Sequence, residues 1–261
     1  MNGALWVAKT GLTAQDASLR TISNNLANVS TVGFKKDRAV FQDLFYQIDR
    51  QPGAQSSQTT QLASGLQLGT GVKTVGTQKI FTNGTLQVTG QTNDLAINGR
   101  GFFQVLSPDG SLSYTRDGQF HMDTTGRLVT ASGYTLEPAI TLPPDTQTVT
   151  IGHDGAVSIT QIGAAAPTLV GNIQTADFAN PGGLEAKGQN LYVETASSGT
   201  AIVGTPGLAG LGILKQGALE NSNVNIVEEL VSMISTQRAY EINSKVISTA
   251  DQMLQYVNQN L

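Results

Sequence analysis

A seven-residue spacing recurs at both ends of the chain, and it limits the possible folds more than any other feature. Leu5, Leu12, Leu19 and Leu26 form one row, with Ala8, Gln15, Ile22 and Val29 in the companion row. The two rows read as the a and d positions of a heptad. They predict a helix of about 25 residues, roughly 37 Å long. Ala8 and Gln15 supply little apolar area, so such a helix is marginal alone in water. At the other end Ile226, Met233, Tyr240, Ile247, Leu254 and Leu261 repeat the spacing. Leu230, Ala250 and Val257 share that face, and Gln237 and Ser244 interrupt it. Asn225 with Glu228 forms a capping-box pattern, and Glu229 suits the positive helix end. No proline occurs after Gly207 to stop the helix. Two such helices, far apart in sequence, predict an antiparallel coiled-coil pair.

Between them the chain reads as β. Asn83-Gly84, Asn98-Gly99, Asp109-Gly110, Asp117-Gly118 and Asp154-Gly155 are dipeptides that favour hairpin turns. Short strand-like runs lie between, such as 101–106 and 148–151, and Val157 and Ile159 alternate onto one face. The expected fold class is mixed α and β: a discontinuous helical coiled-coil domain plus a mainly antiparallel β domain with extended connectors. Residues 1–32 and 221–261 form the expected inner helical domain, 83–194 the outer β domain, and 33–82 with 195–220 the connectors. Within these, residues 47–71 have almost no period and are rich in Gln, Ser, Thr and Gly. A structureless loop of that length is functional or disordered more often than not. Residues 198–212 are Gly-rich and read as a hinge or extended arm leading to the second helix.

The first helix ends in NNLANVSTVGFK, residues 24–35. Asparagine disfavours helix because its side chain competes for nearby backbone groups. Asn24, Asn25 and Asn28 therefore read as a joint, bonding backbone where the helix runs out. Gly33 is free to turn with positive φ, and Phe34 can anchor the next segment. Lys35, Lys36 and Arg38 form a small basic cluster of a kind that is usually a solvated face, with contact to an acidic neighbour as the alternative.

The sequence offers little for chemistry. Cysteine is absent, and His121 and His153 have no second ligand at metal spacing. Asp94, Asp109 and Asp117 read as turn formers, and no nucleophile elbow occurs. Gly69-Thr-Gly-Val-Lys73 lacks the spacing of a phosphate loop, and no strand–helix unit surrounds the glycines near 204–212. No catalytic residue, cofactor or metal is expected. The formal charge of -4 argues against nucleic acid, and no apolar run is long enough to cross a bilayer. No cleavable signal is visible at the N-terminus. Charged residues are only 13% of the chain, about half the ~25% usual for soluble domains. That suits surfaces buried against other subunits, and equally a plain β-rich protein with many turns. One helix pair buries one seam, yet Trp6, Val7, Ile234, Val246 and Met253 lie off it. These positions favour packing between several subunits.

Taken together, these residues resemble one family. Asn24-Asn25-Leu26-Ala27-Asn28-Val29-Ser30-Thr31 with Gly33-Phe34-Lys35 is similar to the N-terminal signature of bacterial flagellar rod and hook axial proteins. Ser222-Asn223-Val224-Asn225, Glu228-Glu229-Leu230 and Gln237-Arg238-Ala239-Tyr240-Glu241 resemble its C-terminal signature. Gly101-Phe102-Phe103-Gln104-Val105 and Tyr114-Thr115-Arg116-Asp117-Gly118 are similar to its central β domain. The stretch from Tyr46-Gln47 through Arg50-Gln51-Pro52-Gly53-Ala54-Gln55-Ser56-Ser57, then Ser64-Gly65-Leu66-Gln67 and Gly69-Thr70-Gly71, resembles the distal-rod branch, with hook and proximal-rod members as the near alternatives. Val32 stands where many relatives have Asn.

The resemblance implies a structural subunit that polymerises into a rigid tube carrying torque from motor to hook and enclosing an export channel. The helical core and subunit interface would then comprise Leu5, Leu12, Leu19, Ile22, Leu26, Ile226, Leu230, Met233, Tyr240, Ile247 and Leu254. Arg50, Gln51, Pro52, Gly53 and Leu66 would belong to a stretch that folds on assembly, bridges neighbours and stiffens the rod. Implied partners are further copies of the chain, proximal rod proteins, the hook protein, the P-ring and L-ring proteins, and the flagellar type III export apparatus. The implied location is the periplasm-spanning rod of the basal body, reached without signal cleavage. A cell-wall hydrolase and a non-polymerising β-rich adhesin are the readings from other classes.

Overall fold

The computed structural model describes residues 2–53, 63–163 and 166–259. Two long helices, α1 (Asn2–Ala27) and α2 (Ile226–Gln259), bracket a series of short strands. The class is mixed, with two helices and mostly antiparallel β. Contacts divide the chain into two compact units. One holds Met1–Ala27, Asp37–Gln78 and Asn225–Leu261; the other holds Asn28–Lys36 and Lys79–Val224.

In the helical unit, α2 starts where its sequence asks it to. The Asn225 side chain accepts a hydrogen bond from the Val227 N–H (3.1 Å), and its carbonyl accepts one from Glu229 N–H (3.0 Å). The first turn carries Glu228 and Glu229, against the positive helix end. The helices run antiparallel. Gly11 of α1 lies so close to Asn243 that an added Cβ would stand 3.1 Å from its Nδ2, and Asn25 bonds Glu229. Gly11 and Asn25 are as far apart along α1 as Asn243 and Glu229 are along α2, which fixes one register.

The region expected as an irregular connector is built of strands instead. Asp37–Asp43 pairs with Val72–Lys79, and Tyr46–Arg50 pairs antiparallel with Leu66–Gly69, from Tyr46↔Gly69 to Arg50↔Leu66. A loop-like composition misled here because this ribbon buries nothing: every residue of its two strands is exposed. The strands do alternate, as Tyr46-Gln47-Ile48-Asp49 and Leu66-Gln67-Leu68, but each run is short and set in a Gln-, Ser-, Thr- and Gly-rich stretch. Pro52 and Gly53 lie in a turn. A side chain on Gly65 would crowd the Arg50 carbonyl and the Pro52 ring. Ala54, Gln55, Ser56 and Ser57 lie outside the described residues.

The second unit is a β body. Its largest sheet has nine strands among the described residues, with Phe102–Leu106 near the middle. That strand pairs with Leu112–Thr115, Thr135–Glu137 and Thr175–Asp177. Its side chains alternate between two cores. Phe103 and Val105 enter a cluster with Leu95, Leu136, Val157 and Ile159, whereas Phe102 joins Tyr114, Phe178 and Tyr192. The second cluster packs aromatic edges onto faces, as in Tyr114–Phe178 with centroids 4.8 Å apart at 87°. A three-stranded sheet, Thr146–Ile151, Ala156–Gln161 and Thr168–Asn172, covers the first core. Val157 and Ile159 do face inward together.

Two expectations about turns and arms change. Asp109-Gly110 and Asp154-Gly155 close hairpins, joining strands that pair Leu106↔Leu112 and Ile151↔Val157. The other three dipeptides do not, because the strands flanking each of them do not pair with one another. Gly118 and Gly84 serve close backbone approach instead: a Cβ would overlap the carbonyl of Leu95 at one and of Asn221 at the other. Nor is the Gly-rich run 198–212 a free arm. Its Ile202–Gly204 adds an edge strand to the large sheet beside Thr175–Asp177. After it, Ile213–Gln216 pairs with Leu95–Asn98, and Ala218–Glu220 pairs with Leu86–Val88.

Candidate functional site: helical faces and joint segment

The helix pair shows two faces of different chemistry. The seam is lined by small and polar residues. On α1 these include Ala8, Ala14, Thr21 and Asn25; on α2 they are Glu229 and Thr236, with Asn243 half-buried. Ala4, Gly11, Ser18 and Asn25 are spaced by sevens, one position before the leucine row. Small residues at that spacing let two backbones approach closely. The leucine row was easy to see, whereas this neighbouring row carried the same period without bulk. Leu5, Leu12, Leu19 and Leu26 flank the seam half-buried, and Ile22 is buried. On α2, Met233, Ile247 and Leu254 are half-buried, while Ile226, Leu230 and Tyr240 are exposed.

The other face of α2 carries an apolar stripe broken by exposed polar side chains, Arg238 and Lys245 among them. Val227, Val231, Ile234, Ile242, Val246, Met253 and Tyr256 all stand exposed. At 100° per residue they fall within about 120° of one another, away from Glu229 and Thr236. Trp6 and Val7 of α1 are exposed as well. Trp6, Val7, Leu68 and Val246, with Asn243, line a groove of about 760 Å³ in the same unit. The ribbon adds further apolar surface, including Tyr46, Ile48, Leu66 and Leu68, and Phe45 just before it is 92% exposed. Arg50, Gln51, Pro52 and Gly53 are exposed at its far end.

The joint begins with Asn25, only 1% exposed. Its Nδ2 donates to the Asp37 carbonyl (2.8 Å) and to Glu229 Oε2 (3.3 Å), and its Oδ1 accepts from Asp37 N–H (2.8 Å). One amide thus replaces a backbone ladder between α1, the strand from Asp37 and the start of α2. That is why a poor helix former stands inside α1. Asn24 is exposed, and Asn28 turns the chain by accepting from Thr31 N–H (3.2 Å) and Thr31 Oγ1 (3.2 Å).

Beyond Asn28 the joint belongs to the β unit. Gly33 has φ 69°, and a Cβ there would stand 2.7 Å from the Arg116–Asp117 backbone. Phe34 is buried, with the Lys79 ammonium 5.3 Å from its ring centroid. Lys35 is not on a solvated face: it is wholly buried. Its Nζ lies 2.6 Å from Glu220 Oε1 and donates to the Thr82 carbonyl (2.9 Å). Glu220 Oε2 is shared with Arg116 Nη1 at 3.1 Å, and Oε1 also accepts from Gly84 N–H (2.9 Å). Arg116 donates further to the carbonyls of Ile97 and Gly99 and stacks 5.3 Å from Phe102. Burial pushes Lys35 and Arg116 below their usual values, and the Glu220 charge works against it. Lys36 and Arg38 differ from Lys35. Lys36 is half-buried, with its N–H on Asn223 Oδ1, and Arg38 reaches Gln78 at the surface. Glu220 had no local signal in the sequence, since Lys35, Gly84 and Arg116 are each over a hundred residues away, and Arg116 and Asn223 stood in the quoted signatures with no role read for them.

Among the described residues no three His, Cys, Asp or Glu side chains are placed to hold a metal. No described helix is long and apolar enough to cross a membrane.

Three family models match the chain in order. They are "Flagella basal body rod protein" over residues 5–35, "Flagellar hook protein FlgE/F/G D1 domain" over 96–159, and "Flagellar basal body rod FlgEFG protein C-terminal" over 215–260. The flagellar basal-body rod protein FlgG of Buchnera aphidicola (from Schizaphis graminum) is 57% identical over 256 residues, 98% of each chain. That of Borreliella burgdorferi is 48% identical over 260 residues, 99% of this chain and 98% of its own. The flagellar hook protein FlgE of Salmonella typhimurium is 26% identical, covering 95% of this chain and 97% of its own.

Proposed function

Because this chain belongs to the flagellar basal-body rod protein family, we propose that it is a structural subunit of the distal rod, polymerising into a stiff helical tube. The observation that carries this reading is the exposed apolar stripe of α2, from Val227 to Tyr256, on a helix whose own seam is small and polar. A face of that extent is unfavourable in water and is covered when helices of neighbouring copies pack on it. Each Leu- or Ile-sized side chain so buried contributes roughly 1.5–3 kcal/mol, repeated in every subunit. The helices form a coiled-coil inner layer around an export channel. Leu5, Leu12, Leu19, Leu26, Ile226, Leu230, Met233, Tyr240, Ile247 and Leu254 flank the packed faces.

The ribbon from Tyr46 to Gly69, including Arg50, Gln51, Pro52, Gly53 and Leu66, bridges neighbours and stiffens the tube. Its two strands pair within one chain, so assembly would cover the ribbon rather than create it. The role is mechanical and asks for no catalysis. Proximal rod proteins, the hook protein, the P-ring and L-ring proteins and the flagellar type III export apparatus are the proposed partners in a rod that spans the periplasm. A hook role has less support, since the hook relative is far less similar than the rod relatives.

Electron microscopy of the polymerised protein, with and without residues from Ile226 onward, tests the reading. Straight tubes from the full chain and none from the shortened one are expected. Tubes that form equally well without α2 would overturn it.

A further inference from the structure

Residues Asn28–Lys36 belong to the β unit, but the chain on either side of them belongs to the helical unit. The segment therefore sits on the β unit much as a bound peptide would, held by non-covalent contacts alone. Several are ordinary. Gly33 N–H donates to the Glu220 carbonyl (2.7 Å), Lys36 N–H to Asn223 Oδ1 (2.8 Å), and Asn190 Nδ2 to the Val32 carbonyl (3.0 Å). The contact made by Lys35 differs, because it places an ammonium where no water reaches. A buried charge is tolerated only with a partner, and breaking such a pair leaves the survivor uncompensated.

The partner is already shared. Glu220 is one carboxylate between two buried cations. The cations differ in what remains if that carboxylate is lost. Arg116 keeps two backbone carbonyls and the Phe102 ring. Lys35 keeps only the Thr82 carbonyl, and its long stem is attached to a segment that can leave. Neither hydrophobic cluster of the β unit includes a residue of 28–36. We infer that Glu220 is a charge-gated dock for residues 28–36: its carboxylate admits Lys35 to the β unit, and without it the segment undocks while the sheet persists. Glu220 stands at the end of Ala218–Glu220, shortly before α2. Docking of the N-terminal joint is thus conditional on the C-terminal part of the chain being in place.

Amide hydrogen exchange on the full-length chain tests this, using Glu220→Gln, Lys35→Met and the two combined. In Glu220→Gln the amides of 28–36 and 79–84 exchange roughly 100-fold faster, while those of 102–106 and 112–115 stay within about threefold of the parent. Lys35→Met alone changes little, because it leaves one cation facing one anion. The combined variant recovers, with residues 28–36 exchanging roughly tenfold more slowly than in Glu220→Gln, since the charge that could not be buried is gone. Three results would overturn the inference: unchanged exchange in Glu220→Gln, an even acceleration across the β unit, or a combined variant no better protected than Glu220→Gln. If Glu220→Gln does not accumulate as folded protein, the combined variant decides. Its recovery supports the dock, and its failure overturns it.

Discussion

The β unit and the helical unit solve burial in opposite ways. In the β unit the central strand sends Phe103 and Val105 to one core and Phe102 to another, and both faces of the sheet are covered. Its largest polar cost, the Lys35–Glu220–Arg116 cluster, is compensated internally. In the helical unit the polarity is inverted. Small and polar residues meet in the seam, while Val231, Ile234, Val246, Met253 and the ribbon around Phe45 face water. The β unit closes two cores within one chain, although Val88, Ile162, Ile202 and Leu208 stay exposed, while most of the large exposed apolar side chains lie in the helical unit. Substitutions should therefore cost folding in the first and association in the second.

The largest effect on folding is expected at Glu220. Its replacement by Gln leaves Lys35 without a charged partner, and the protection of residues 28–36 against amide exchange should fall by about 3 kcal/mol, roughly 100-fold, while the strands of the β unit keep theirs. Asn25→Ala comes next. It removes three hydrogen bonds at a buried site and leaves the Asp37 N–H and carbonyl without that partner, at a cost of about 1–3 kcal/mol by chemical denaturation. Asn225→Ala removes the α2 cap and costs about 1 kcal/mol, read as earlier fraying of α2 by exchange or circular dichroism.

A smaller effect concerns pH. Lys35 is held below the ordinary lysine value of 10.5, mainly by burial. Between its lowered value and 10.5 the unfolded chain binds more protons than the folded one, so this group's contribution to stability rises with pH. The pH dependence of unfolding in the parent should exceed that of Lys35→Met across this alkaline window.

The contrast also explains what the sequence could reveal. The helices were legible because Leu5, Leu12, Leu19 and Leu26 mark a period, and the strand around Val157 and Ile159 because burial on one face forces alternation. The ribbon of Tyr46–Arg50 and Leu66–Gly69 was not, since its alternation is confined to runs too short to stand out from the polar residues around them. Asn-Gly and Asp-Gly dipeptides carry two meanings, a hairpin turn at Gly110 and a close backbone approach at Gly84 and Gly118, and spacing alone does not separate them. The sequence reads Asn25 as a residue that bonds backbone, but its partners Asp37 and Glu229 could not be read. Lys35 looked like a surface charge because the carboxylate that admits it is 185 residues away.

The most direct measurement takes the stripe apart without touching the folded chain. Val231→Asp and Ile234→Asp, alone and together, should leave monomer stability within about 0.5 kcal/mol, since both side chains are exposed. Electron microscopy and sedimentation should show that the combined variant no longer forms tubes under conditions where the parent does. Tubes of unchanged length and stiffness from the combined variant would contradict the account.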